Sequence, residues 1–326
     1  MNILITAASR RISLIRAFQK SLERSAHPGS VITVDADPLS PGLYLTDRHY
    51  IVPLSSSPSY KKAILKICKE ENIGLVVPTI DEELVFFGKE KEDFKKKGVD
   101  VLVSSEKTAH LCNDKYLTYQ FFLDHHIPTP KTWLKSEVDP KKTMPYPLFI
   151  KPRCGRGSVQ AFPVRNEKEL CFFLDYVNDP IIQPYLEGRE FTIDVFCDKN
   201  GKCVSVVPRE RLWIRAGVCD KGKTVKDVRL INYGIEIAEK LNVIGPANIQ
   251  CKVKGNEIMF FEVNPRFSGA IQLTMESGAD FPLFATKIFN HSELKPMIGE
   301  FKDGLIMLSY EDSLYIDNAK VVSKSS

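Results

Sequence analysis

Glu262, Asn264 and Arg266 stand at every second position of the stretch FFEVNPRFSG, residues 260–269, with apolar or ring residues between them. Upstream lies ANIQCKV at 247–253, and the Gly-Asn pair between the two runs favours a tight hairpin. With the turn centred on Asn256, Gln250 faces Glu262, Asn248 faces Asn264 and Lys252 faces Phe260. Side chains alternate across a strand, so these residues share one face, while Ile249, Cys251, Val253, Phe261 and Val263 take the other. The shared face gathers a carboxylate and two or three carbonyl-type oxygens. Hard cations such as Mg²⁺ take oxygen ligands and need only one or two carboxylates when phosphate and water complete the shell. The bland alternative is a solvent face, but such faces are ordinarily built of Lys, Thr and Glu.

Three further segments carry charge where phosphate chemistry would use it. In PLFIKPRCGRGSVQAFPV, residues 147–164, a strand ends at Lys151 and a loop follows with Gly155 and Gly157. Glycines let backbone N–H groups approach a phosphate, and Lys151, Arg153 and Arg156 add cations, so the loop reads as a mobile flap over a polyanion. It lacks the Walker spacing and no helix follows. In IIQPYLEGREFTIDV, residues 181–195, an extended segment with a proline offers free backbone groups that can read an adenine edge, and Glu190 can accept from ribose hydroxyls. In VPRERLWIRAG, residues 207–217, Arg209 and Arg211 share a face, joined by Arg215 if the strand continues; a surface salt-bridge strand is the alternative to an anion site.

Alternating strands and helices up to about residue 105 must position the first half of the chain: NILIT, VITVDAD, GLVVPTI and VDVLVSS as strands, with helices between them. This pattern means a parallel, doubly wound sheet, whose ligands sit at the carboxyl ends of the strands, here TAASRR, DADP and PTIDEE. The first turn has no glycine, which disfavours a dinucleotide site and an NAD(P) oxidoreductase despite Asp35. The acids at 81–83 suit a helix start, and remain candidates for substrate contact. Residues 106–126 read as one helix, followed by a proline-punctuated linker. From 147 the chain turns to short strands and hairpins with a helix at 167–178 and a longer one at 224–242, an α+β pattern with mostly antiparallel pairing.

The bulk numbers set bounds. The 326 residues carry a net charge of +4 with no long Lys/Arg run, which does not argue for nucleic acid. Eight scattered cysteines without a C-x-x-C pair read as reduced thiols. The N-terminal apolar run is too short for a signal peptide, and no stretch approaches the roughly 18 apolar residues of a membrane helix, so the expectation is a cytoplasmic protein without a membrane partner.

These segments, in this order, resemble the ATP-grasp superfamily of carboxylate-activating ligases, and most resemble a single unit of the carbamoyl phosphate synthetase large chain and its stand-alone carboxylate–amine relatives. The resemblance implies an α/β Rossmann-like (pre-ATP-grasp) domain at 1–110, then a two-lobed α+β ATP-grasp domain: an N-terminal lobe with the flap at 111–185 and a C-terminal lobe with the metal site at 186–326. It implies ATP with Mg²⁺ (or Mn²⁺) as cofactors. Gln250, Glu262 and Asn264 would hold the metal, and Arg266, Arg209 and Arg211 would serve the transferring phosphate or acyl-phosphate. Lys115, Lys151, the flap with Gly155, Gly157 and Ser158, the hinge Gln183, Tyr185 and Leu186, and Glu190 would hold the nucleotide. The chain departs from many relatives at Gln250 and Gln183, where an acid is common, and the flap has fewer glycines.

The implied reaction joins a carboxylic acid to an amine or other nucleophile through an acyl-phosphate, releasing ADP, with electrostatic stabilisation of in-line phosphoryl transfer by Mg²⁺, Lys115, Lys151, Arg209 and Arg266. None of the six histidines sits in a motif, so no general base stands out. A single grasp unit argues against carbamoyl phosphate synthesis itself. The partners implied are a small-molecule acid and its nucleophile, with a homodimer as an open assembly. The alternative is a non-catalytic ATP-binding or sensing module of the same fold. Ser9, Arg10, Asp81, Glu82, Arg215 and Ser268 are candidates for substrate selection.

Overall fold

The computed structural model describes residues 1–24, 29–139, 144–155, 157–215, 217–290 and 294–321. Five parallel strands form the first sheet: β1 (Asn2–Ile5), β2 (Val31–Asp35), β3 (His49–Ile51), β4 (Ile73–Val77) and β5 (Asp100–Val101), in the order β3-β2-β1-β4-β5. Ile3, Leu4 and Ile5 are all fully buried, as a strand covered on both faces requires. Ile3 and Ile5 pack with α1 (Ile12–Glu23), and Leu4 packs on the opposite side with α2 (Tyr60–Glu70) and α3 (Asp81–Lys96). The strand order reverses at β1, so the crevice between the carboxyl ends of β1 and β4 is the topological switch point.

The expected helix over 106–126 is two helices, α4 (Glu106–Asn113) and α5 (Lys115–Asp124). Asp114 leaves the helical region, and its carboxylate caps α5 by accepting from the N–H groups of Tyr116 and Leu117. The break puts Lys115 at the first position of α5. The linker that follows contributes a short strand, β6 (Trp133–Leu134), to a four-stranded antiparallel sheet ordered β6-β9-β7-β8, with β7 (Leu148–Pro152), β8 (Phe162–Val164) and β9 (Pro180–Pro184); α6 (Glu167–Tyr176) covers it.

The largest sheet has six antiparallel strands ordered β14-β13-β10-β11-β12-β15: β10 (Arg189–Cys197), β11 (Cys203–Arg215), β12 (Val218–Thr224), β13 (Gly245–Lys254), β14 (Glu257–Asn264) and β15 (Ile306–Leu308). The helix expected from residue 224 starts later, as α7 (Val228–Lys240), because 218–224 belong to β12. Gly234 in α7 lies where a Cβ would meet Ile193, Val206 and Val195, so the missing side chain lets α7 close on β10 and β11. Two helices not expected from the sequence, α8 (Ile271–Glu276) and α9 (Phe281–Phe289), follow β14, and α9 packs on α1. The fold is therefore an α/β Rossmann-like domain followed by a two-lobed α+β unit. Among the described residues no helix is long and apolar enough to cross a membrane.

Candidate active site

One face of the six-stranded sheet carries the chemistry in two rows. Glu262, Gln250, Thr192 and Arg209 are directly paired across β14, β13, β10 and β11, and Asn264, Asn248 and Asp194 form the next row. Gln250 thus faces Glu262 and Asn248 faces Asn264. Beyond Gln250 the ladder slips: Cys251 pairs with Phe260 and Lys252 with Met259, so the expected pairing of Lys252 with Phe260 does not form. Phe261 is the extra residue of a bulge. Phe260 therefore enters the core, fully buried, and Phe261 lies under the Lys151 ammonium, whose Nζ is 5.1 Å from its ring centroid.

The arginines divide. Arg209 is buried and donates through Nε to Asp194 Oδ2 at 2.7 Å and through Nη2 to Ser268 Oγ at 3.0 Å. Arg211 donates to Glu190 Oε1 at 2.7 Å, Gln250 Oε1 at 3.3 Å and the Gly217 carbonyl at 2.7 Å. Arg209 Nη1 and Arg211 Nε are buried without a hydrogen-bond partner among the described residues. Arg215 does not join them: bulges around Trp213 turn the strand, and Arg215 is exposed and paired with Asp220 and Glu311. Arg266 makes a bidentate pair with Asp81, at 2.9 and 2.7 Å. Burial opposes its charge, but Asp81, Glu262 and Glu82 outweigh this and raise its pKa.

The lysines approach from the other lobe. Lys115 is buried and donates to the Gly155 carbonyl at 2.7 Å, tying α5 to the flap. Lys151, 7% exposed, has its ammonium pulled down to about 8 by burial; Lys115 works in the same direction, while Glu262 and Glu190 oppose it. Arg153 is not a free flap cation, because it pairs with Asp114 at 2.6 Å. Arg156 lies outside the described residues. Gly155, Gly157 and Ser158 all have positive φ and are exposed. Gly157 touches Gly217 so closely that a Cβ on Gly217 would sit 2.8 Å from its carbonyl carbon. In the hinge, Gln183 donates to Thr132 Oγ1 at 2.8 Å, Tyr185 N–H donates to the Pro147 carbonyl at 2.9 Å, and the Leu186 carbonyl accepts from Lys252 Nζ at 2.9 Å. The Tyr185 N–H is therefore already engaged.

Gln250, Glu262 and Asn264 offer one carboxylate and two amide groups, a hard-oxygen set that fits a divalent cation whose shell is completed by phosphate. Asn264 Nδ2 donates to Glu262 Oε1 at 3.0 Å, which fixes the carboxylate beside the amide. Among the described residues no group of three or more His, Cys, Asp or Glu side chains is placed to hold a metal.

The switch-point crevice of the first sheet adjoins this face. Arg11 donates to the Thr79 carbonyl at 2.7 Å and to the Ser268 carbonyl at 3.3 Å, bridging the two units. The Ser9 N–H donates to Asp35 Oδ2 at 2.7 Å. Sequence reasoning does not single out Asp194, whose only signal is a lone acid inside the apolar strand FTIDVF. Nor does it pair Asp81 with Arg266, since the two lie 185 positions apart.

A family model described as the PylC-like N-terminal domain matches residues 3–102, and one described as ATP-grasp in the biosynthetic pathway with Ter operon matches residues 177–312. The chain is 24% identical over 279 residues to the carbamoyl phosphate synthase large chain of Lachnoclostridium phytofermentans, covering 77% of itself and 25% of that protein, so it spans about a quarter of this relative. Among solved structures, it superposes on Campylobacter jejuni biotin carboxylase in a β,γ-ATP complex with a TM-score of 0.74, at 20% identity over 94% of this chain and 74% of that one. It matches an L-amino acid ligase from Bacillus licheniformis with a TM-score of 0.69, at 18% identity over 93% and 77% of the two chains. Residues 3–102 are thus similar to a PylC-like N-terminal domain and residues 177–312 to an ATP-grasp domain, in the order in which the first sheet leads into the polar sheet face.

Proposed function

We propose that the protein is an ATP- and Mg²⁺-dependent ligase that converts a small carboxylic acid to an acyl-phosphate, releases ADP, and joins the acyl group to an amine or another nucleophile. The observation that carries this reading is the convergence of Lys151, Lys115, Arg209, Arg211 and Arg266 on the face holding Gln250, Glu262 and Asn264. In this reading residues 1–110, 111–185 and 186–326 are the pre-ATP-grasp domain and the two lobes. When bound, Mg²⁺ would neutralise phosphate charge and align the in-line transfer. Glu262, with Gln250 and Asn264, would hold it. Lys115 and Lys151 would hold the nucleotide phosphates under the flap of Gly155, Gly157 and Ser158. Gln183, Tyr185 and Leu186 would frame the base, using groups other than the engaged Tyr185 N–H, and Glu190 would accept from the ribose. Arg209, Arg211 and Arg266 would stabilise charge on the transferring group. The similarity to an L-amino acid ligase and to a carbamoyl phosphate synthase large chain supports C–N bond formation as the reaction class.

One observation favours the second reading, ATP binding without turnover: the metal set has a single carboxylate, and the Gln250 oxygen already accepts from Arg211. ADP release across a panel of carboxylic acids and amines, with hydroxylamine present to trap an acyl-phosphate as a hydroxamate, separates the two. A hydroxamate formed in step with ADP supports the ligase. MgATP binding with no ADP release from any pair supports the binding module.

A further inference from the structure

Arg266 meets Asp81 along the edge that guanidinium groups use for oxyanions. Nε and Nη2 donate to the two Asp81 oxygens at 2.9 and 2.7 Å, in the parallel fork that a phosphate or carboxylate would otherwise take. Nη1 donates to the Phe267 carbonyl at 3.1 Å, and Nη2 leans toward Asn264 Oδ1 at 3.4 Å. A guanidinium has five N–H donors, so one Nη1 hydrogen is left for a ligand among the contacts of the described residues. Both side chains are 11% exposed, and Asp81 is the first residue of α3, set directly behind β4 at the switch point. The carboxylate therefore comes from the Rossmann-like sheet, while the arginine follows the Asn264 strand of the other unit.

We infer that Asp81 masks the bidentate edge of Arg266, so that an anion in the site meets this arginine end-on through Nη1 and binds weakly enough to leave. This inference rests on the proposed nucleotide site and makes Asp81 a positioning residue within it. The acid at 81 then serves the phosphate side of the site rather than selecting the substrate. Removing the mask frees a charged fork in a partly desolvated place, so phosphate binding tightens. A merely structural role for Asp81 would weaken or leave unchanged the binding of anions.

The test uses the full chain loaded with MgADP and inorganic phosphate as the probe, followed by calorimetry. Asp81→Asn is expected to tighten phosphate binding about tenfold, equivalent to about 1.4 kcal/mol. Adding Arg266→Ala to Asp81→Asn should abolish the gain. Asp81→Glu keeps the charge but spoils the fork geometry, and a two- to threefold gain is expected; it carries the test if the Asn variant does not fold. Phosphate binding that is unchanged or weaker in the folded variants overturns the inference, as does a gain that survives loss of Arg266. Failure of the wild type to bind MgADP would instead sink the nucleotide reading itself.

Discussion

Arg209 donates through Nε to Asp194 Oδ2 at 2.7 Å, with both side chains 1% exposed. Thr274 also donates its hydroxyl to the same oxygen, while Asp194 Oδ1 and Arg209 Nη1 lack hydrogen-bond partners among the described residues. Breaking a buried pair leaves an uncompensated charge, at a cost of roughly 3–5 kcal/mol. Asp194→Ala is expected to lose stability on that scale in urea unfolding. Replacing both partners with apolar residues, Asp194→Leu with Arg209→Met, should recover most of the loss but not ADP formation. Recovery of both would show that Arg209 is structural only.

Glu83, in α3 beside the first sheet, gives a stability signature. It is buried, accepts from Thr6 Oγ1 and Tyr60 OH, and is pushed up to about 7, mainly by burial against the pull of those hydrogen bonds. Because the folded state holds the Glu83 proton more tightly than the unfolded state, the contribution of Glu83 to stability is greatest below the ordinary carboxylate range and is lost as pH rises toward about 7. The loss amounts to as much as about 3 kcal/mol between pH 4.5 and 7. Glu83→Gln should flatten this part of the stability–pH curve; an unchanged slope would locate the titration elsewhere.

In the proposed nucleotide site, Lys151 should make nucleotide affinity depend on pH. Its ammonium, held down to about 8 by burial, loses its proton in the ligand-free chain as pH rises through that value, whereas bound phosphate needs the charged form. The dissociation constant for MgATP should be flat below pH 8 and rise toward tenfold per unit above it. In Lys151→Arg, whose charge does not titrate in this range, the rise should vanish. Calorimetric titration from pH 7 to 9.5 reads both.

Gly217 couples the flap to Arg211. It adopts φ +74, its carbonyl accepts from Arg211, and a Cβ would press on the Gly157 backbone. Gly217→Ala should therefore hold the flap away and raise the MgATP dissociation constant about tenfold. The left-handed strain itself costs only about 1 kcal/mol, so the melting temperature should fall by a few degrees. A variant that binds MgATP normally would remove the Gly157 contact from the nucleotide site.

Local pattern made much of this legible. Alternation put Gln250 and Glu262 on one polar face, but the turn pairs Lys254 with Glu257 instead of centring on Asn256, and only the extra residue Phe261 brings Gln250 opposite Glu262. The bulge was hidden, since Phe260 and Phe261 are the same residue type and either can take the core position. The break between α4 and α5 escaped because Asp114 sits in an otherwise helical run, and only its capping bonds show the stop. Arg153 looked like a flap cation until Asp114 occupied it. The Asp81–Arg266 pair depends on how two units meet, which no short-range spacing encodes.

The most direct measurement is MgATP binding and ADP release in the wild type beside Glu262→Ala, whose lost carboxylate is the single acid of the proposed metal set. ADP release with a carboxylate–amine pair should fall by at least about a hundredfold, a loss of about 2.7 kcal/mol of transition-state stabilisation, while the variant stays folded. Undiminished ADP release in Glu262→Ala, or a wild type that binds no MgATP, would contradict the assignment of this sheet face as the site of phosphoryl transfer.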